Sequence, residues 1–304
     1  MIVATCECIK GMKRILGSRF RMNRPLAPLT SLNMGGLVEF WAMVYDLEEL
    51  RRILDLARSE QLRVRILGKG TNLVIQNGLL KGIVIQLGGT LSEIKRNNDR
   101  IGMGGGCPLA CLLKEAITCD LNGAAPLAGI PGTLGGAITM NAGTDQGSLG
   151  DLVEEVDILT DGRIETWSAK EMGFGYRRSR ISNGKIVLGA RLRLKPGIDV
   201  KNAVRRTLAK RWSAQPYRER SAGCVFRNPP GYSAGRLIDE AGLKGHRIGQ
   251  VEVSRKHANF FINCGGGTSD DFLRLMESVQ KRVYMVSGVY LKPEVKFWVN
   301  DDER

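Results

Sequence analysis

Two glycine-rich stretches carry the most specific chemistry in the sequence. "GIPGTLGGAITMNAG" (129–143) holds five glycines and two alanines with no acid and no base, and "GKGTNLVIQNG" (68–78) follows directly on a strand-like run. Glycine weakens helix and strand interiors, so this density marks backbone that something approaches closely. In 68–78 the consecutive N–H groups can form an anion nest, with Thr71 and Asn72 as hydrogen-bond partners. The loop is not a Walker A motif, because Lys69 does not precede a Ser or Thr at the end of G-x-x-x-x-G-K. Nor is it a dinucleotide fingerprint, since Leu73 stands where the third glycine belongs. A simple tight turn accounts for the same residues. In 129–143, Gly129, Gly132, Gly135 and Gly136 remove Cβ atoms at nearly every turn of the chain, and Thr133 and Asn141 offer polar side chains. Such a surface suits a flat ring or a pyrophosphate bonded by main-chain N–H groups. Packing of a helix on a strand through small residues is the alternative; two such loops in one domain favour a dinucleotide site.

Metal and disulfide chemistry find little support. The seven cysteines run from Cys6 to Cys264 without a CxxC pair, the closest spacings being Cys6/Cys8 and Cys107/Cys111, and the two histidines are His246 and His257. This spacing predicts no metal centre and reduced, mostly buried thiols. A net charge of +14 raises a nucleic-acid reading. The basic residues are scattered, however, with no basic tail and no RNP, zinc-finger or KH signature. Basicity also suits an enzyme whose cofactor and substrates carry phosphates. No apolar run is long enough for a membrane span, and Glu and Lys break the opening twenty residues, so no secretion signal is expected and the cytoplasm is the default location. Met12 offers a second possible start.

The elements that must position these loops have α+β texture. Residues 46–60 read as an amphipathic helix with Asp46 as N-cap, Glu49 closing a capping box, and Leu47, Leu50, Ile53, Leu54 and Leu56 on the apolar face. Strands are expected at 62–68, 73–76 and 82–87, the last two divided by Asn77-Gly78. A helix follows from Leu109, with Pro108 at its first turn and Asn122-Gly123 past its end. "VEEVDILT" and "IETWSA" flank Asp161-Gly162, the strongest hairpin signal in the chain. Further on come a strand in 185–197, a connector helix at 199–211, helices at 233–242 and 268–287, and strands at 258–264 and 294–299. A cut near 200 leaves a larger glycine-rich part and a C-terminal α+β part.

"ILGKGTNLVIQNGLLKGIVIQL", "GIPGTLGGAITMNAG", "FGYRRSR", "SAGCVFRNP", "AGRLIDEAGLKGHRIGQVEVSRKHANFFIN" and "LKPEVKFW" stand in the order seen in the UDP-N-acetylenolpyruvoylglucosamine reductase family, which the chain resembles over 25–298. "TSLNMGG" (30–36) is similar to that family's N-terminal entry. The resemblance implies a two-subdomain FAD-binding fold of the vanillyl-alcohol-oxidase type with a C-terminal α+β substrate domain. In this sequence that gives an extension at 1–24, FAD-binding subdomains at 25–90 and 91–199, and a substrate domain at 200–304. The implied reaction, in peptidoglycan precursor synthesis, reduces the enolpyruvyl ether of UDP-N-acetylglucosamine enolpyruvate to the lactyl ether of UDP-N-acetylmuramate. FAD is the carrier and NADPH the hydride donor.

By the same resemblance FAD is held by Gly68, Lys69, Gly70, Thr71, Asn72 and Leu73, and by the second stretch at Gly129, Ile130, Gly132, Thr133 and Gly135. That stretch continues the cradle through Gly136, Ala137, Asn141, Ala142 and Gly143. Arg177 matches the arginine near the enolpyruvyl carboxylate, and Glu294 the carboxylic acid that assists it. Hydride addition to the β-carbon builds negative charge on the carboxylate side and leaves the α-carbon to be protonated. The family's usual proton donor is serine; here Cys224 stands in its place, and a neutral thiol is acid enough to donate. A small buried filler is the other reading of Cys224. Tyr176, Asn228 and His257 match substrate-site positions, and Arg227 could face phosphate. The interval from Arg177 to Cys224 lacks the inserted loop with which one branch covers the substrate through a tyrosine. A related flavin-dependent oxidase is the alternative enzyme, although no histidine precedes residue 245 to attach a flavin. UDP-sugar and NADPH are the expected partners, with no nucleic acid, no membrane span, and a monomer or weak oligomer.

Overall fold

A computed structural model describes residues 5–181 and 184–300. The outermost residues of the expected extension and of the expected substrate domain, 1–4 and 301–304, lie outside it. The chain divides into two compact units: Met1–Met22, Phe40–Gly68 and Gly82–Arg211 form the first, and Asn23–Glu39, Lys69–Lys81 and Trp212–Arg304 the second.

In the first unit, α1 (Cys6–Leu16) is an amphipathic helix that buries Cys8, Met12 and Leu16. Its Glu and Lys, which break the apolar run in the sequence, fall on the solvent face. α2 (Leu47–Ser59) starts at Asp46, whose side chain accepts the Glu49 N–H at 2.8 Å. Glu49 does not complete a reciprocal box. Its carboxylate takes the Tyr45 N–H instead, at 2.8 Å, and both guanidinium nitrogens of Arg19 at 2.6 Å. A charge-assisted fork is stronger than one more neutral cap bond, so the arginine wins the carboxylate. These helices share a core with Phe40, Ile83, Ile85 and Leu188.

A second core in this unit lies on a five-stranded antiparallel sheet in the order Arg163–Ser168, Val153–Thr160, Ile186–Arg193, Arg100–Gly104, Ile94–Asn97. Its hairpin turns at Asp161-Gly162, both with positive φ (48° and 76°), which is the I′ geometry that Asp-Gly favours. α3 (Leu109–Thr118) and α4 (Leu134–Met140) supply Leu112, Ala116, Leu134 and Ile138 to that core. A one-turn helix, α5 (Ala169–Met172), and α6 (Val200–Ala214) complete the unit's helices, the last three residues of α6 falling in the second unit.

The second unit has α7 (Ala234–Glu240) and α8 (Ser269–Ser287), the latter opened by a Thr268/Asp271 capping box. Its sheet runs Arg247–Ile248, Val251–Val253, Phe261–Asn263, and Leu73–Ile75 pairs in parallel with Lys296–Trp298. Phe226, Phe261 and Phe272 are its largest fully buried side chains.

Candidate active site

The 129–143 stretch is not one open loop, because residues 134–140 are helical. The N–H of Leu134 donates to the Cys107 carbonyl at 2.8 Å and that of Gly135 to the Gly105 carbonyl at 2.8 Å, so the start of α4 is fixed on the 105–107 turn. The glycines then divide by what meets them. A Cβ on Gly135 would sit 3.1 Å from the Gly105 oxygen, and one on Gly143 would sit 2.5 Å from the Gly147 oxygen; these two are bare because the protein's own backbone packs on them. Gly68 comes close to this stretch, with Thr133 Oγ1 at 2.6 Å from its Cβ position. Gly136 differs. It is exposed, and the nearest atom to its Cβ position is Thr133 Oγ1 at 3.7 Å, so a bare patch of main chain faces outward there. Ile130, Gly132 and Ala142 of the same stretch are half-buried, and Gly129 and Gly132 take positive φ (78° and 149°), as does Asn141 (42°).

Asn141 caps α4, but its side chain is turned into the protein. It is 6 % exposed; its Nδ2 donates to the Gly175 carbonyl at 3.0 Å and its Oδ1 accepts the Gly150 N–H at 2.9 Å. Gly175 opens the turn that carries Tyr176 and Arg177, closed by mutual main-chain bonds with Arg178 at 3.1 and 3.2 Å. Arg177 has φ +54°, a conformation costing a residue with a Cβ about 1–2 kcal/mol. Its guanidinium carbon lies 5.3 Å from the centroid of the exposed Tyr176 ring. A cleft of about 600 Å³ opens beside this turn, lined by Asn141, Gly150, Asp151, Lys170, Phe174 and Arg177 among others.

In the second unit the residues 224–228 run between two other segments. On one side Cys224 bridges Phe260 and the Val225 N–H donates to the Asn259 carbonyl at 2.8 Å. On the other the Glu294 N–H donates to the Val225 carbonyl at 2.7 Å and the Arg227 N–H to the Lys292 carbonyl at 2.9 Å. Cys224, Asn228, His257 and Glu294 are therefore held on three hydrogen-bonded segments. Gly223, at φ +76°, turns the chain into the first of them. Asn228 Oδ1 accepts the Ala234 N–H at 2.9 Å, at the start of α7. The buried Nε of Arg227 has no hydrogen-bond partner among the described residues.

His257 accepts the Asn259 N–H at Nδ1 (3.3 Å), which leaves the proton on Nε2, and its ring packs edge-on to Phe260. Burial pushes its pKa below the ordinary imidazole value, and the nearby Lys244 adds to this, so the ring is neutral at pH 7. The turn at 68–73 is placed partly by packing. A Cβ on Gly70 would lie 2.5 Å from the Leu29 oxygen. Asn72 Nδ2 donates to the Glu294 carbonyl at 3.3 Å, while its own carbonyl accepts the Lys296 N–H at 3.0 Å. Lys69 is exposed and Leu73 buried, with Thr71 in between.

Residues 39–168 match the family described as an FAD binding domain, and residues 215–298 match the C-terminal domain of UDP-N-acetylenolpyruvoylglucosamine reductase. A protein of Symbiobacterium thermophilum named UDP-N-acetylenolpyruvoylglucosamine reductase 2 is 40 % identical over 284 residues, covering 92 % of each chain. The chain belongs to the UDP-N-acetylenolpyruvoylglucosamine reductase family. A Synechococcus reductase is 38 % identical over 99 % of both chains. The crystal structure of the Thermus caldophilus reductase superposes with a TM-score of 0.80 at 35 % identity, covering 92 % of this chain and 98 % of that one. The α+β class, and the pairing of an FAD-binding part with a reductase C-terminal domain, accord with the sequence reading.

One residue that sequence reasoning missed is Asn259. It is 2 % exposed, and its side chain accepts the Phe226 N–H at 2.9 Å and donates to the Phe226 carbonyl at 2.8 Å. An asparagine two places after His257, directly before the apolar run Phe260–Ile262, was the available signal. The thiols also depart from expectation. All seven are free, yet only Cys8 and Cys107 are buried, while Cys6 and Cys264 are exposed. Burial and the neighbouring Cys111 push the Cys107 thiol up to about 12.

Proposed function

We infer that the chain reduces UDP-N-acetylglucosamine enolpyruvate to UDP-N-acetylmuramate, with FAD as bound carrier and NADPH as hydride donor. The observation that carries this reading is the correspondence of the two matched domains with the two sets of candidate residues. The bare Gly136 patch lies in the stretch matched as an FAD binding domain, and Cys224 and Glu294 lie in the stretch matched as the reductase C-terminal domain; the Arg177 turn follows the first of these and is bonded to its Asn141. An exposed glycine face beside small residues fits a flat ring and a pyrophosphate, which need close approach to main chain. In our assignment the Gly68–Leu73 turn and the Gly129–Gly143 stretch hold FAD within residues 25–199, and residues 200–304 take the UDP-sugar. Held by those residues, FAD would supply the two-electron relay between NADPH and the vinyl carbon of the substrate.

The chain's own residues then have defined work. The Arg177 guanidinium faces the substrate carboxylate, where negative charge grows, and a planar fork of donors matches that group better than a point charge does. Glu294 is assigned the part of the carboxylic acid that assists this step. Cys224 Sγ delivers a proton to the α-carbon. His257 offers Nε2–H, and Asn228 and Tyr176 line the sugar nucleotide. The orphaned Arg227 Nε takes a phosphate oxygen.

Among the described residues no helix is long and apolar enough to cross a membrane. We place the enzyme in the cytoplasm with its nucleotide-sugar substrate, as a monomer or weak oligomer that binds no nucleic acid. Several of its arginines, among them Arg100, Arg191, Arg193 and Arg236, are paired with acids, which supports that last point. The decisive experiment is optical. Purified protein should show a flavin spectrum that NADPH bleaches and that returns under anaerobic conditions only when the enolpyruvyl UDP-sugar is added. A colourless protein that takes up no FAD would sink the reading.

A further inference from the structure

The turn that carries Arg177 hangs from the last turn of α4. On one side Asn141 Nδ2 donates to the Gly175 carbonyl at 3.0 Å; on the other, Ser179 Oγ donates to the Thr139 carbonyl at 3.0 Å. The two tethers straddle Tyr176 and Arg177. The amide that makes the first is itself locked. Its Oδ1 must face the Gly150 N–H, so its NH₂ must face the Gly175 carbonyl. Gly150 leaves no slack, because a Cβ there would lie 2.9 Å from Asn141 Oδ1 and 2.8 Å from the Phe174 ring. Asn141 also sits at φ 42°, ψ 60°, a left-handed position that asparagine tolerates and most residues do not. A backbone conformation as uncommon as that of Arg177 persists where its surroundings over-determine it.

We propose that Asn141 is a positioning residue for Arg177, fixing the turn from which the guanidinium addresses the substrate carboxylate. Its side chain thus serves the arginine, while its main chain completes the glycine-rich cradle. The same short helix then presents the bare Gly136 near one end and anchors the arginine at the other. This rests on the reading that Arg177 acts on the substrate and not on NADPH.

The test separates the two half-reactions of the holoenzyme. Asn141→Asp keeps the acceptor for Gly150 but turns a carboxylate oxygen on the Gly175 carbonyl; Asn141→Gly keeps the left-handed backbone and removes both bonds. Both are expected to slow reoxidation of NADPH-reduced enzyme by the enolpyruvyl UDP-sugar about ten- to a hundredfold more than they slow reduction by NADPH or weaken FAD binding. Asn141→Asp should recover relative to wild type as pH falls, since the protonated carboxyl donates to Gly175 again. A second readout needs no cofactor: trypsin should cut apo-protein faster after Arg177 and Arg178 in both variants. Unchanged reoxidation and unchanged cutting overturn the proposal. So does an equal loss of FAD binding, reduction and reoxidation, which would make Asn141 part of the cradle alone. If the Asn141 variants do not fold, Ser179→Ala removes the other tether and is judged by the same outcomes. Arg177→Lys with normal reoxidation would instead overturn the role given to the arginine.

Discussion

A thiol in place of a serine changes the demands on its surroundings, because a thiol that ionises can no longer donate. Cys224 lies on a half-buried segment held between main-chain partners, and the proposed donation needs its thiol neutral. Cys224→Ala is expected to lower kcat by about 10²–10⁴, the usual worth of a positioned general acid. Cys224→Ser should recover most of that loss, and steady-state rates on the enolpyruvyl UDP-sugar decide it. Unaltered turnover in the alanine variant would take Cys224 out of the mechanism. His257 carries a prediction of the opposite kind, about stability. Its folded-state pKa is lowered, so the unfolded chain binds the proton more readily. Its neutral ring costs nothing above the ordinary value of 6.5, and stability is lost as pH falls below that value towards the lowered one. Denaturant melts between pH 7 and 5 should show a fall that His257→Gln reduces. An identical slope in both proteins would contradict the assignment.

At the level of elements, the site depends on tethers made by buried or half-buried amides. Asn259→Ala leaves the Phe226 N–H and carbonyl without their side-chain partners, and each orphaned group costs about 1–3 kcal/mol. A drop of about 3 kcal/mol in unfolding free energy is expected, read by urea titration. The Arg19–Glu49 fork at the start of α2 is mostly shielded from solvent. The Arg19 guanidinium holds the Glu49 carboxyl below its ordinary value of 4.5, so its contribution is complete above that value and is lost as pH falls through the lowered one. Glu49→Gln should cost about 1–2 kcal/mol at pH 7 and nothing extra in acid, measurable by the same titration. The sequence made such elements legible where period and punctuation agreed: Asp46 capping α2, the Asp161-Gly162 hairpin, and α8, expected over 268–287. It was least legible where a side chain is defined by a distant carbonyl. Asn72 and Asn141 stand among glycines, and only the fold shows their amides bonded to the Glu294 and Gly175 carbonyls. The helix inside 129–143 was hidden because glycine's low propensity is offset there by packing against the 105–107 backbone.

For the whole molecule, the cofactor should be a large term in stability. A ligand that binds only the folded chain adds about 2.7 kcal/mol at a hundred times its dissociation constant. Protein stripped of flavin should therefore melt several degrees below the yellow form and regain the difference on adding FAD, with NADPH alone giving no such shift. A melting temperature indifferent to FAD would contradict the cradle. The uneven exposure of the cysteines has a practical use of its own. Cys6 belongs to the first unit and Cys264 to the second, both at the surface, whereas Cys107 is too deep and too weakly acidic to react. Cys6 and Cys264 are thus exposed handles, one on each unit, and replacing the half-buried Cys111, Cys119 and Cys224 would leave them the addressable pair. A donor–acceptor dye pair placed on them would report the separation of the two units and any change in it on adding nucleotide sugar.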